Sequence, residues 1–136
     1  MKVGFTGTRD GMTREQKRRL VIQLLRFNPS EVHHGCCVGA DAQADLIASQ
    51  ALGLKTVGHP PENPSLRAWC DCDEIRPSKD YLARDRDIVD ETDCLIATPK
   101  TDTFVPKSGT WYTIRYATNQ GKRVFLILPT GRLEVL

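Results

Sequence analysis

Lys2-Val3-Gly4-Phe5-Thr6-Gly7-Thr8-Arg9-Asp10-Gly11-Met12-Thr13-Arg14-Glu15-Gln16 reads as a strand, a glycine-bearing loop and a capped helix start in direct succession. Residues 2–6 have the pattern of a buried strand. Thr13-Arg14-Glu15-Gln16 has capping-box spacing, in which a hydroxyl and a side-chain amide satisfy N–H groups that a helix start leaves without partners. Leu20, Val21, Leu24 and Leu25 then recur at helical spacing until Asn28-Pro29 ends the segment.

The rest of the chain repeats this unit. A short strand at 31–34 precedes a helix whose apolar stripe is Ala44, Ile47, Ala48, Ala51 and Leu52, ended by Gly53. Thr56-Val57-Gly58 is a third strand. Residues 59–79 hold four of the eight prolines together with Cys70 and Cys72, which predicts an irregular loop. A helix over about 80–91 leads to a strand at Cys94-Leu95-Ile96-Ala97, a loop at 99–108, a helix from Ser108 to Gly121 and a strand at Val124–Leu128. Strict alternation predicts a parallel sheet with helices on both faces and right-handed crossovers. The unbroken apolar run Val124-Phe125-Leu126-Ile127-Leu128 fits a strand covered on both sides. The expected architecture is one Rossmann-like three-layer α/β domain over residues 1–136, with about five strands in the order 3-2-1-4-5.

Composition narrows the function classes. The chain has 136 residues, 40% hydrophobic and 26% charged, with net charge +2. That is too apolar and too weakly charged for a disordered adaptor. Basic and acidic residues are interspersed, so bulk charge gives a nucleic-acid binder no support. No apolar run reaches the roughly 20 residues needed to cross a bilayer, and the N-terminus enters a strand pattern rather than a signal peptide, so no membrane association is expected. Five cysteines, an odd number without a C-x-x-C pair, read as reduced thiols of a cytoplasmic protein.

Loop lengths locate the site. Helix-to-strand connections are minimal: Asn28-Pro29-Ser30, Gly53, Glu91-Thr92 and Gly121-Lys122. Strand-to-helix connections are long and glycine-bearing, and they gather at the carboxyl ends of the strands, where open α/β sheets bind ligands. Gly7, Gly35 and Gly39 allow close backbone approach, and helix starts near Thr13, Asp41 and Ser108 point toward that rim with unpaired N–H groups. Ser108-Gly109-Thr110 is the best phosphate cup among them, with Arg9 able to add a charge-assisted bond. Asp85 falls near the centre of the inward stripe of its helix and requires an N–H or arginine partner, while Arg84 faces the rim. Trp111, just after a helix start, is a core or stacking residue. His33, His34, Cys36, Cys37, His59, Cys70 and Cys72 match no zinc spacing, and His33 and His34 point to opposite sheet faces, so no metal is expected. The chain contains no G-x-G-x-x-G, P-loop, H-E-x-x-H or G-x-S-x-G motif, and no resident cofactor is expected.

Gly4-Phe5-Thr6-Gly7-Thr8-Arg9, His34-Gly35-Cys36-Cys37-Val38-Gly39-Ala40-Asp41, Tyr81-Leu82-Ala83-Arg84-Asp85-Arg86-Asp87-Ile88-Val89, and Pro99 through Ser108-Gly109-Thr110-Trp111 together resemble the SLOG superfamily. That group contains the DNA-processing DprA/Smf proteins, the LOG phosphoribohydrolases and small stand-alone members of bacteria and phages. The resemblance implies a Rossmann-like fold, a nucleotide or nucleotide-derived ligand and a homo-oligomer, to which the apolar tail Arg132-Leu133-Glu134-Val135-Leu136 could contribute a packing surface. It marks Gly7, Thr8, Arg9, Gly35, Gly39, Ala40, Asp41, Arg84, Pro99, Ser108, Gly109, Thr110 and Trp111 as ligand-binding candidates. Arg84 matches the LOG arginine, but Tyr112 and Thr113 occupy the LOG glutamate positions. Three functions follow: binding of a phosphate-ribose ligand as sensor or sequestering protein; N-glycosidic hydrolysis of a nucleoside monophosphate, with Arg84 and Asp41 as catalytic candidates; or DprA-like single-stranded DNA binding, which the near-neutral charge disfavours.

Overall fold

The computed structural model describes residues 1–136. In chain order the elements are β1 (Lys2–Gly7), α1 (Arg14–Phe27), β2 (Glu31–His34), α2 (Ala40–Leu46, continued by a π-helical turn over Ile47–Ala51), β3 (Thr56–Gly58) and β4 (Glu74–Ile75). They are followed by α3 (Tyr81–Asp90), β5 (Cys94–Thr98), α4 (Gly109–Asn119), β6 (Arg123–Ile127) and β7 (Leu133–Val135). One sheet holds all the strands in the order β4-β3-β2-β1-β5-β6-β7. Every pairing is parallel except the antiparallel β6–β7 pair.

The expected five-strand order is the central block β3-β2-β1-β5-β6, but the sheet has seven strands rather than about five. β4 forms inside the proline-rich stretch that reads as irregular. It is held beside β3 by the Thr56 N–H donating to Asp73 Oδ2 at 2.8 Å and by a 2.7 Å Lys55–Glu74 ion pair. β7 is the C-terminal tail. The turn through Gly131, whose N–H donates to the Leu128 carbonyl at 2.7 Å, folds the tail back onto β6, so it covers an edge of its own sheet.

Local chemistry sets the helix ends. Thr13 and Gln16 form both arms of the capping box, at 3.1 and 3.0 Å, and Asn28 closes α1 in the left-handed conformation at φ 43°. Asp80 caps α3 through the Ala83 N–H, and Ser108 caps α4 through the Trp111 N–H.

The sheet divides two apolar cores. Val3, Phe5, Val32 and Ile96 pack with Leu20, Leu24, Ala40, Ala44 and Ala48 under α1 and α2. Leu95, Ala97, Val124 and Leu126 pack with Val89, Trp111, Ile114 and Ala117 under α3 and α4. Neighbouring β5 residues enter opposite cores, the signature of a strand buried on both faces. The loops at the carboxyl ends of β1, β2, β3 and β5 therefore share one pole. No helix is long and apolar enough to cross a membrane.

Candidate functional site

Two cavities are stacked at that pole. The upper, about 360 Å³, lies between the β1–α1 loop (Gly7, Thr8, Arg9, Asp10) and the first turn of α4 (Ser108, Gly109, Thr110, Trp111). Lys100, Thr101, Val105 and Lys107 of the β5–α4 loop and Tyr81 at the start of α3 complete its wall. The lower, about 20 Å³, has room for a single water and is lined by Gly35, Cys37, Asp41, Arg84 and Asp85. Gly7, Arg9, Tyr81 and Thr110 belong to both.

The candidates read from the sequence thus separate into three groups. Gly7, Thr8, Arg9, Ser108, Gly109, Thr110 and Trp111 line the open cavity. Gly35, Asp41 and Arg84 lie beneath it. Gly39, Ala40 and Pro99 line neither. Gly39 sits at φ 92°, and a Cβ there would stand 2.2 Å from the Arg9 carbonyl oxygen, while the Ala40 N–H donates to the Thr8 carbonyl at 3.0 Å. These two residues seat the β2–α2 loop against the β1–α1 loop. The Pro99 carbonyl accepts from Gln16 Nε2 at 2.8 Å and anchors α1.

Of the three helix starts expected at the rim, only that of α4 opens on the cavity. Thr13 is spent on its capping box and on a 2.7 Å bond from Oγ1 to the Pro129 carbonyl. Asp41 Oδ2 accepts from the Cys37 N–H at 3.1 Å within the packed interior. At α4 the Ser108 hydroxyl takes the Trp111 N–H, and the N–H groups of Gly109 and Thr110 have no acceptor within the helix. Three cations, Arg9, Lys100 and Lys107, stand around this helix start against one carboxylate, Asp10, which pairs with Lys100 at 2.8 Å.

Tyr81 escaped the sequence reading as a site residue because its spacing places it on the inward stripe of α3. It lies against the start of α4 so closely that a Cβ on Gly109 would fall 1.2 Å from its hydroxyl. The guanidinium of Arg9 sits 5.3 Å from its ring centroid. Lys100 and Lys107 were also missed. Their only signal is their presence on a long loop after a strand.

Arg84 is buried beneath the cradle. Nη1 donates to the Gly35 carbonyl at 2.6 Å and Nη2 to Cys37 Sγ at 3.1 Å; Nε has no hydrogen-bond partner. Asp85 Oδ1 is 3.6 Å from Nε and Asp41 Oδ2 is 4.0 Å from Nη1. Burial pushes the Asp41 carboxyl up, and it pushes Asp85 up to about 7, with Arg84 opposing both shifts. A carboxyl that titrates near neutrality therefore stands directly under the open cavity.

His33 and His34 do point to opposite faces. His33 Nδ1 meets His59 Nε2 at 2.9 Å and its Nε2 meets Glu31 at 2.8 Å, whereas His34 Nε2 meets Asp45 at 2.8 Å.

No protein-family model matches the chain, and no curated protein matches it. Solved structures do. The protein TM1055 shares 19% identity and a TM-score of 0.70 over 96% of this chain and 75% of its own. The molybdenum cofactor binding protein of the phototrophic bacterium Rippkaea orientalis shares 20% identity and a TM-score of 0.71 over 93% of this chain and 76% of its own. DNA processing protein A (DprA) of Streptococcus pneumoniae shares 22% identity and a TM-score of 0.67 over 92% of this chain and 49% of its own. At these identities the likeness is one of fold alone: the chain shares its α/β architecture with these proteins over nearly its whole length.

Proposed function

We propose that this chain binds a small nucleotide-type ligand in the upper cavity, with a phosphate on the first turn of α4 and the ribose along the β1–α1 loop. The observation that carries this reading is the convergence of the open N-terminus of α4 with Arg9, Lys100 and Lys107 around one cavity. Free N–H groups, the positive end of a helix dipole and flexible cations are the elements of an anion site. About 360 Å³ is within the size range of small-molecule pockets. The fold-level likeness to a molybdenum cofactor binding protein is consistent with ligand binding. In this reading Arg84 is a positioning residue, because its donors hold Gly35 and Cys37.

Thermal-shift titration of nucleoside monophosphates, cyclic nucleotides, ADP-ribose derivatives and molybdenum cofactor, with inorganic phosphate as control, tests the proposal. At least one phosphorylated compound raises the melting temperature while its unphosphorylated counterpart does not. Arg9→Ala and Lys107→Ala each weaken its Kd by about tenfold, the worth of one hydrogen bond to a charged group. No shift from any phosphorylated compound would defeat the reading.

A hydrolytic reading has one observation in its favour, the Asp85 carboxyl near neutral pKa below the ribose position. It assigns the acid–base role to Asp85 rather than to Asp41. Release of free base from a monophosphate, abolished by Asp85→Asn, would support it; binding without base release would leave the chain a carrier or sensor.

A further inference from the structure

A second concentration of reactive side chains lies at the same pole over β2 and β3, and nucleotide binding makes no use of it. Cys36 follows β2, and Cys70 and Cys72 lie on the long β3–β4 connection. No disulfide joins them. Cys36 Sγ, Cys72 Sγ and a His34 ring nitrogen lie within 4.8 Å of one another, as do Cys70 Sγ, an Asp45 carboxylate oxygen and a His34 ring nitrogen. Cys72 Sγ is 3.4 Å from Asp45 Oδ1 and 3.5 Å from His34 Nε2. Ligand atoms held about 2.0–2.3 Å from a tetrahedral ion stand roughly 3.3–3.8 Å apart. Cys72 and Asp45 already stand at that spacing, and Cys36 and Cys70 are gathered with them around His34.

We infer that Cys36, Cys70, Cys72 and Asp45 form a site for one zinc-class divalent cation that pins the β3–β4 connection to the sheet. Three thiolates favour a soft or borderline ion over magnesium or calcium. The fourth ligand follows from the hydrogen bonds of His34. Its Nδ1 accepts from the Cys36 N–H at 3.1 Å, so in the neutral ring the proton sits on Nε2, which donates to Asp45 Oδ1 at 2.8 Å. His34 therefore orients the carboxylate ligand from behind, as outer-shell donors do.

Three further features fit the assignment. Cys36 has φ 51°, a left-handed conformation that a non-glycine residue adopts at a cost and that turns its side chain off the strand end. Gly58 leaves space for sulfur, since a Cβ there would be 2.4 Å from Cys36 Sγ and 3.1 Å from Cys72 Sγ. Asp45 and Cys70 also line an open groove of about 410 Å³, which gives an ion a route in. No residue from 59 to 73 enters either apolar core; backbone bonds such as those from the Val38 N–H to Leu66 and from the Ala68 N–H to Cys36 hold the connection, and an ion would add a cross-link to them. Long connections without secondary structure of their own are uncommon in compact domains.

The four ligands share no residue with either stacked cavity, so this proposal and the nucleotide reading fail independently. The full chain, purified under reducing conditions without chelator, should carry about one zinc per molecule by elemental analysis. The apo chain titrated with cobalt(II) should develop a thiolate-to-cobalt charge-transfer band, weakened in Cys70→Ser and Cys72→Ser and unchanged in Cys94→Ser. Asp45→Asn should keep the band with affinity lowered by about tenfold or more. The wild-type titration does not depend on any variant folding. No charge-transfer band, or a disulfide among the three cysteines when thiols are counted in the denatured chain, would overturn the site; undiminished affinity in Asp45→Asn would overturn the fourth ligand.

Discussion

At the scale of single residues, Arg84 shows how a sequence signal can be right about importance and leave the role open. The arginine beside an inward carboxylate reads as a rim residue, and the structure places it one layer below, between the strand ends and α3. Its guanidinium holds the Gly35 carbonyl and Cys37 Sγ and faces both Asp41 and Asp85. Removing it leaves two buried carboxyls without their cation. Above about pH 7, where Asp85 is ionised, Arg84→Ala should therefore cost about 3–5 kcal/mol in stability, the usual penalty for breaking a buried charge pair from one side, and less at lower pH, where the carboxyl holds its proton. Urea unfolding measures this directly. A variant with wild-type stability and lost ligand binding would instead make Arg84 a direct ligand contact.

At the scale of elements, the sequence was legible wherever local chemistry sufficed. β1, α1 and β6 follow from an apolar run, a capping box and another apolar run, none of which needs a distant partner. β4 was not legible: two residues carry no periodicity, and their pairing depends on Lys55 and Asp73 holding them beside β3. β7 left a fainter trace in the Pro129-Thr130-Gly131 turn after an apolar strand. The site divides in the same way. Glycines and hydroxyls at strand ends marked the loops, whereas Tyr81, Lys100 and Lys107 reach the cavity through tertiary packing. The thiol cluster joins residues more than thirty positions apart, and no local spacing reveals that. β7 also carries a prediction. Deleting residues 132–136 removes the strand that pairs with β6 through Val124 and Leu128 and leaves an open apolar edge. Light scattering should then detect new self-association, with a lower melting temperature. A truncated chain that stays as dispersed and as stable as the full one would show that β7 protects nothing.

At the scale of the whole molecule, burial of oppositely behaving groups shapes the dependence of stability on pH. His59 is enclosed by His33 and faces Glu91, Asp87 and Arg76, and burial brings its pKa down to about 3. Below its unfolded value of 6.5 the unfolded chain holds a proton that the native chain does not, so this contribution is lost as pH falls from 6.5 toward 3. Asp85 behaves in reverse. Its carboxyl keeps its proton up to about 7 in the fold but releases it near 3.8 in the unfolded chain, so its contribution is lost as pH rises through that interval. Between roughly pH 4.5 and 6 the two slopes oppose each other, each near 1.4 kcal/mol per pH unit for one proton. Relative to the unaltered chain, His59→Gln should tilt the plot of unfolding free energy against pH downward by about that slope, and Asp85→Asn should tilt it upward by as much. Urea unfolding at several pH values across the window gives all three lines. If they run parallel, neither group changes its proton occupancy on folding, and the buried cluster under the cradle is then no source of a near-neutral acid.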